Sequence, residues 1–98
     1  MYARVVTAHT IKPEAIQEGI RLYEESIMPA MKAQPGFVGT LFLVNEAENK
    51  VISISLWETE AAMQASEASG YLQAQMAKVA PLVTAPPTNE HFETAVQA

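Results

Sequence analysis

The chain has 98 residues, no cysteine, and six basic against eleven acidic side chains, for a net charge of −5. This length predicts a single domain over 1–98, and 49% apolar residues predict a packed core. The acidic balance disfavours nucleic acid and anionic membranes as partners, and the absence of cysteine excludes disulfides and thiolate chemistry. No signal-like or membrane-spanning run is visible, so we expect a cytoplasmic protein.

The first half of the chain reads as strand, helix, strand. Residues 2–10 are rich in β-branched side chains and predict a strand. A helix then opens at Lys12-Pro13-Glu14, and Pro29 should kink or end it near Ile27. Its apolar stripe consists of Ile16, Ile20, Tyr23, Ile27 and Met31. After a turn at Gln34-Pro35-Gly36, residues 37–44 predict a second strand.

The second half repeats the pattern as strand, helix, strand. A polar connection over 45–50 leads into a third strand, 51–57. Thr59 is a plausible N-cap for a second helix, which Ser69-Gly70 should interrupt and Pro81 should end. Residues 90–96 predict the last strand.

This β-α-β-β-α-β order is that of an α+β ferredoxin-like fold, with two helices on one face of a four-stranded antiparallel sheet. Strand two carries apolar residues on both faces, as a strand does when both its faces are buried. The helices can cover only one face. We therefore expect a homodimer in which the other face meets the sheet of a second subunit.

Strand three alternates Ile52, Ile54 and Leu56 with Ser53, Ser55 and Trp57. We expect the three aliphatic residues to face the helices, and the serines with Trp57 to face the partner sheet. Ser55→Asp should then give monomers. The alternative is that the serine face looks inward and widens a cavity beneath the helices, with Trp57 as a wall.

Three short motifs resemble the antibiotic biosynthesis monooxygenase (ABM) family, and the resemblance extends from Val5 to Val96. They are Pro35-Gly36-Phe37 before a strand, Leu56-Trp57-Glu58-Thr59 at a strand end, and Glu60-Ala61-Ala62 at a helix start. The resemblance implies a dimeric α+β barrel. It also implies one of several chemistries, which include cofactor-free oxygenation of aromatic polyketides, haem degradation, isomerisation and binding without catalysis.

In the haem-degrading branch of this superfamily, the catalytic residues are an Asn in strand one, a Trp in helix two and a His further along the chain. The matching helix positions here hold Ser66 and Met76, and strand one has no asparagine. We therefore expect no haem, and no other cofactor or metal either, because the chain has no glycine-rich nucleotide loop and no metal-ligand spacing.

The resemblance favours a monooxygenase acting on a small aromatic or quinol-type substrate, whose anion can itself reduce oxygen. The alternatives are a binding or structural module, and an isomerase or lyase on the same scaffold. We expect strand one to lie between strands three and four, parallel to three, which would bring His9, Trp57 and His91 to one end of the sheet.

His9, with His91 second, is the candidate general base, because imidazoles titrate near neutrality. Trp57 and Tyr71 are the candidate substrate-binding residues; the simpler interpretations are solvated edge histidines and a packing tryptophan. Arg4 could anchor an anionic substrate, but we expect it to pair with a carboxylate on the edge strand.

Overall fold

The computed structural model describes residues 1–98 and confirms the ferredoxin-like order. Four strands form one sheet, and helices lie on one of its faces. The strands are β1 (Tyr2–His9), β2 (Phe37–Asn45), β3 (Lys50–Trp57) and β4 (Thr88–Glu93). The helices are α1 (Glu14–Leu22), α2 (Met28–Lys32), α3 (Glu60–Ala68) and α4 (Tyr71–Val79). β4 begins and ends earlier than predicted, because its ladder with β1 runs from Thr88 to Glu93. None of these helices has the length and apolar character needed to cross a membrane.

The strand order is β2-β3-β1-β4, and every neighbouring pair is antiparallel. The predicted position of β1 between β3 and β4 is confirmed, but the predicted parallel pairing with β3 is wrong. The helical crossover leaves β1 and β2 running the same way, and the β2–β3 hairpin then reverses the chain. β3 must therefore oppose β1. In the resulting register Tyr2 lies opposite Trp57, and His9 lies opposite Lys50.

The first helical segment passes through Pro29 instead of ending before it. A π-helical turn, Tyr23–Ile27, joins α1 to α2, and the Met28 N–H donates to the Tyr23 carbonyl. Proline lacks an N–H and its ring crowds the carbonyl four residues earlier. A widened turn just before it relieves that clash, so the helix continues to Lys32.

The second helical segment is capped and broken where the sequence indicates. The Thr59 hydroxyl accepts from the Ala62 N–H at 3.0 Å, as an N-cap does. Gly70 has φ +87, a left-handed conformation that suits glycine and separates α3 from α4. Gly36 has φ +80, and a Cβ there would stand 2.5 Å from the Ala62 Cβ. The turn before β2 therefore packs too closely on α3 for any other residue.

The face of β3 that points toward the helices is the opposite of the one we predicted from the sequence. Trp57 is fully buried and packs under the helices with Tyr23, Ile27, Met31 and Met63. Ser53 and Ser55 alternate with the aliphatic residues and so lie on the same inward face.

The outward face carries the aliphatic residues instead. Leu41 pairs with Ile54 and Leu43 with Ile52, and the two leucines are 58% and 44% exposed. Ser53, Ser55 and Trp57 therefore do not face a partner sheet, and the alternative interpretation of an inward serine face is the correct one. Ser55→Asp would place a carboxylate inside the subunit, so it cannot report on dimerisation.

Candidate functional site

A cavity of about 90 Å³ lies between the inward face of the sheet and the helices. Its lining is mainly aliphatic and thioether side chains. Those contributed by the helices are Ile16, Ile27, Met31, Leu72, Met76 and Val79. The polar groups in the wall are few and come chiefly from the central strands and from two tyrosines. A mostly apolar cavity with a few polar groups is typical of small-molecule sites.

Arg4 is the one charged side chain in the cavity wall, and it is only 1% exposed. Its Nη1 donates to Ser66 Oγ at 2.8 Å, and Glu67 Oε2 and the Met63 carbonyl each lie 3.5 Å away. The guanidinium also lies over the Trp57 ring, 5.0 Å from its centroid. Burial lowers the Arg4 pKa, and the nearby Glu67 carboxylate opposes that shift. An arginine side chain stays charged under these conditions.

The hydrogen bonds of Arg4 all run from Nη1, whereas a guanidinium has five N–H donors. Nε and Nη2 make no hydrogen bond within the protein, and the side chain lines the cavity. The pair with Glu67 also corrects our expectation about Arg4, because its carboxylate partner lies on α3 and not on the edge strand.

Two tyrosines bring hydroxyl groups to the cavity wall. The Tyr23 hydroxyl hydrogen-bonds Ser53 Oγ at 2.8 Å and also contacts Thr40 Oγ1, which in turn donates to the Ile54 carbonyl at 2.9 Å. Tyr71 lies at the start of α4, directly after the Gly70 break. Burial raises the pKa of Tyr71 to about 12, while Arg4 acts in the opposite direction. Tyr71 is therefore a neutral hydroxyl near neutral pH.

Of the four site residues that the sequence suggested, only Tyr71 lines the cavity. Trp57 lies behind the wall, where its Nε1 donates to Ser55 Oγ at 2.9 Å. His9 is exposed, and alternation with the cavity-lining Ala8 places it on the outward face. His91 lies opposite Arg4 on β4 and contacts Glu67 Oε2 at 2.6 Å.

The expected grouping of His9, Trp57 and His91 at one sheet end is therefore wrong. Antiparallel pairing sends His9 to the Lys50 end of the sheet and Trp57 to the Tyr2 end. The residues that sequence reasoning undervalued are Arg4, Tyr23 and Glu67. The available signal was an arginine on the strand face that alternation assigns to the apolar Val6 and Ala8.

Ser55 matters because it satisfies the only N–H of the buried indole. We expect Ser55→Ala to lower the free energy of unfolding by ~1–3 kcal/mol, the usual penalty for a buried donor left without a partner. Urea unfolding measures this. Gln73→Ala, at an exposed position of α4, is the control and should change stability little. Equal stability of Ser55→Ala and the wild type would show that the Trp57 N–H finds another acceptor.

The raised pKa of Tyr71 predicts that the fold loses stability at alkaline pH. Its folded pKa of about 12 exceeds the ordinary value near 10, so the neutral hydroxyl stabilises the fold fully below about pH 10. That stabilisation is lost as the pH rises from 10 through about 12. We expect the wild type to lose more unfolding free energy than Tyr71→Phe between about pH 8 and about pH 11 in urea titrations. Parallel pH profiles of the two proteins would contradict this.

Comparisons with known proteins agree with this architecture. Residues 1–78 match the family model described as antibiotic biosynthesis monooxygenase, so the chain belongs to that family. It is 36% identical over 66 residues to the uncharacterized protein Rv2557 of Mycobacterium tuberculosis, an alignment that covers 67% of this chain and 29% of the relative. A second uncharacterized protein from the same organism, Rv2558, is also 36% identical over 66 residues. The chain thus spans less than a third of the length of these curated relatives.

Two solved structures show the same fold. The NE2512 protein of unknown function from Nitrosomonas europaea has a TM-score of 0.75 at 23% identity, covering 99% of this chain and 91% of that one. A monooxygenase from the gene ActVA-Orf6 of Streptomyces coelicolor, solved with the ligand nanaomycin D, has a TM-score of 0.74 at 20% identity, with the same coverage. At these identities the likeness concerns the fold.

Proposed function

We propose that the chain is a cofactor-independent monooxygenase that binds a small phenolic or quinol-type substrate as its anion in the cavity under the helices. The observation that carries this proposal is the buried Arg4 in the wall of a mostly apolar cavity, with Nε and Nη2 unused within the protein. Membership of the antibiotic biosynthesis monooxygenase family supports the oxygenase class.

The cavity can recognise such an anion by shape and by charge. The aliphatic lining takes the ring, and the guanidinium of Arg4 attracts the ionised oxygen. The hydroxyl group of Tyr71 offers a further donor on the same wall, whereas the Tyr23 hydroxyl already donates to Thr40 Oγ1. A volume of about 90 Å³ is smaller than a substituted ring needs, so binding requires the flexible side chains of Met31 and Met76 to move and enlarge the cavity.

The reaction needs no reductant other than the substrate. The bound anion gives one electron to O₂, and the resulting substrate radical and superoxide combine into a peroxide anion at a ring carbon that still carries hydrogen. A proton from water converts this anion into a hydroperoxide. That carbon loses its hydrogen as the O–O bond breaks. One oxygen stays as a carbonyl and the other leaves as water, so a CH₂ group and O₂ become C=O and H₂O.

The histidines do not line the cavity, so the substrate proton has no imidazole to receive it there. Arg4 instead favours the ionised form of the ligand, as an opposite charge does for any acid. The substrate then loses its proton to water as it binds. This predicts a preference for acidic phenols and enols over weakly acidic ones.

Oxygen consumption tests the proposal. The protein is incubated with a panel of hydroquinones and anthrone-type compounds, and the products are analysed by mass spectrometry under isotopically labelled O₂. We expect one labelled oxygen gained and two hydrogens lost. The methyl ethers of the same compounds, which cannot ionise, are the matched controls and should not react. Ligand binding without oxygen uptake would indicate a binding module, and substrate loss without oxygen uptake would indicate an isomerase or lyase.

We further propose that the functional unit is a homodimer formed through the outward face of the sheet. Leu41, Leu43, Ile52, Ile54 and Leu56 lie on that face, and the helices leave it uncovered. A contiguous apolar sheet surface is typical of a protein interface. A cytoplasmic location stays a prediction.

A further inference from the structure

A chain of polar contacts connects the buried Arg4 to the protein surface. Glu67 Oε2 lies 3.5 Å from Arg4 Nη1 and 2.6 Å from His91 Nε2. Glu67 Oε1 accepts from Asn89 Nδ2 at 2.9 Å. The Glu67 side chain is 20% exposed and that of His91 is 42% exposed, so the chain ends at solvent. One carboxylate is thus shared between a buried cation and an imidazole that water can protonate.

We propose that His91 and Glu67 are positioning residues that set how much positive charge Arg4 presents to the cavity. This inference rests on the proposed binding of an anion next to Arg4. When His91 is neutral, the carboxylate of Glu67 compensates the guanidinium. When His91 is protonated, its own charge compensates Glu67, and the positive charge of Arg4 is left to attract a ligand. Affinity for an anion therefore rises as the pH falls.

The other ionisable groups near this chain are few. Tyr71 and Tyr23 act on Arg4 from the helices, and the raised pKa of Tyr71 keeps its hydroxyl neutral near neutral pH. Around His91, the shallow cleft between α3 and β4 also contains Tyr2, Glu60 and Glu93. The two glutamates are exposed, so water screens their effect on the imidazole. Glu67 is the carboxylate that contacts both Arg4 and His91.

The chain has only two histidines, and this allows a sharp test. Benzenesulfonate is a single-ring ligand that stays anionic across the pH range, and benzenesulfonamide is its neutral counterpart. Binding of both is measured by calorimetry between about pH 8 and about pH 5. We expect the affinity for benzenesulfonate to rise about three- to tenfold as the pH falls, and that for benzenesulfonamide to stay constant.

His91→Gln should abolish this rise, and His9→Gln, on the opposite face of the sheet, should retain it. Glu67→Gln should bind benzenesulfonate tightly at both pH values, because nothing then compensates Arg4. A pH dependence that persists in His91→Gln, or that benzenesulfonamide shares, would overturn the inference while leaving anion binding intact. Failure of the wild type to bind benzenesulfonate at any pH would instead refute the proposed anion site itself.

Discussion

Replacing Arg4 with methionine is expected to reduce the affinity for benzenesulfonate, and kcat/KM for any phenolic substrate, by about 100-fold. The guanidinium is the only cation in the cavity wall, and a charge-assisted contact to an anion is worth ~1.5–3 kcal/mol, with oxyanion donors at the upper end. Calorimetry and steady-state kinetics measure the two quantities. Benzenesulfonamide binding should change little, because it depends on the aliphatic lining.

The fold should survive this substitution. Methionine fills much of the volume of the arginine stem, and Glu67 keeps its contacts to His91 and Asn89. Removing one partner of a buried ion pair is costly when the other charge is left uncompensated, but the Glu67 side chain is 20% exposed, so water also solvates its carboxylate. Arg4→Lys is the matched variant, which keeps the charge but loses the planar fork of the guanidinium. Its affinity for benzenesulfonate should therefore lie between those of the wild type and Arg4→Met. Unchanged affinity for benzenesulfonate in a folded Arg4→Met protein would show that the anion does not bind at Arg4.

Placing an aspartate at Leu41 is expected to convert the dimer into monomers. Leu41 is 58% exposed on the outward face, midway along the edge strand β2, and pairs with Ile54 of β3. Facing sheets pack about 10 Å apart, a distance that leaves no room for a hydrated carboxylate. Light scattering at micromolar concentration should give a dimer mass for the wild type and a monomer mass for Leu41→Asp.

Ala77→Asp is the control for charge alone, because Ala77 is exposed on α4 and away from the sheet. It should stay dimeric. A wild type that is monomeric, or a Leu41→Asp protein that is still dimeric, would exclude this face as the interface. Leu41 is already exposed in the subunit, so the substitution leaves the interior of the fold intact.

The alternation in β3 correctly predicted a strand but not which of its faces turns inward. A period of two separates Ile52, Ile54 and Leu56 from Ser53, Ser55 and Trp57, and it says nothing about which set the helices cover. Hydrogen bonds distinguish the two faces: Ser53 Oγ donates to the Tyr23 hydroxyl, and the indole N–H of Trp57 donates to Ser55 Oγ. A preference for burying aliphatic residues misses this, because it ignores the hydrogen bonds of the large aromatic residues.

The candidate site was predictable only where it depends on local sequence. Tyr71 follows the Ser69-Gly70 break, which the sequence indicates, and it does line the cavity. The environment of Arg4 depends on Ser66 and Glu67, more than sixty residues away in the chain. Their meeting follows from how α3 packs across β1, and no spacing in the sequence encodes it. The mistaken direction of β3 likewise placed Trp57 at the end of the sheet where His9 lies, whereas it lies opposite Tyr2.

The outward aliphatic face predicts that the stability of the fold depends on protein concentration. Inside the subunit, the sheet contributes serines and a threonine to the core, while much of its aliphatic surface is left to be buried by association. In the proposed dimer, part of the hydrophobic free energy that other small domains gain on folding would be gained on assembly. By mass action the midpoint of thermal unfolding should rise with protein concentration. Dilution of the proposed dimer should therefore lower its stability, as heat and denaturant do.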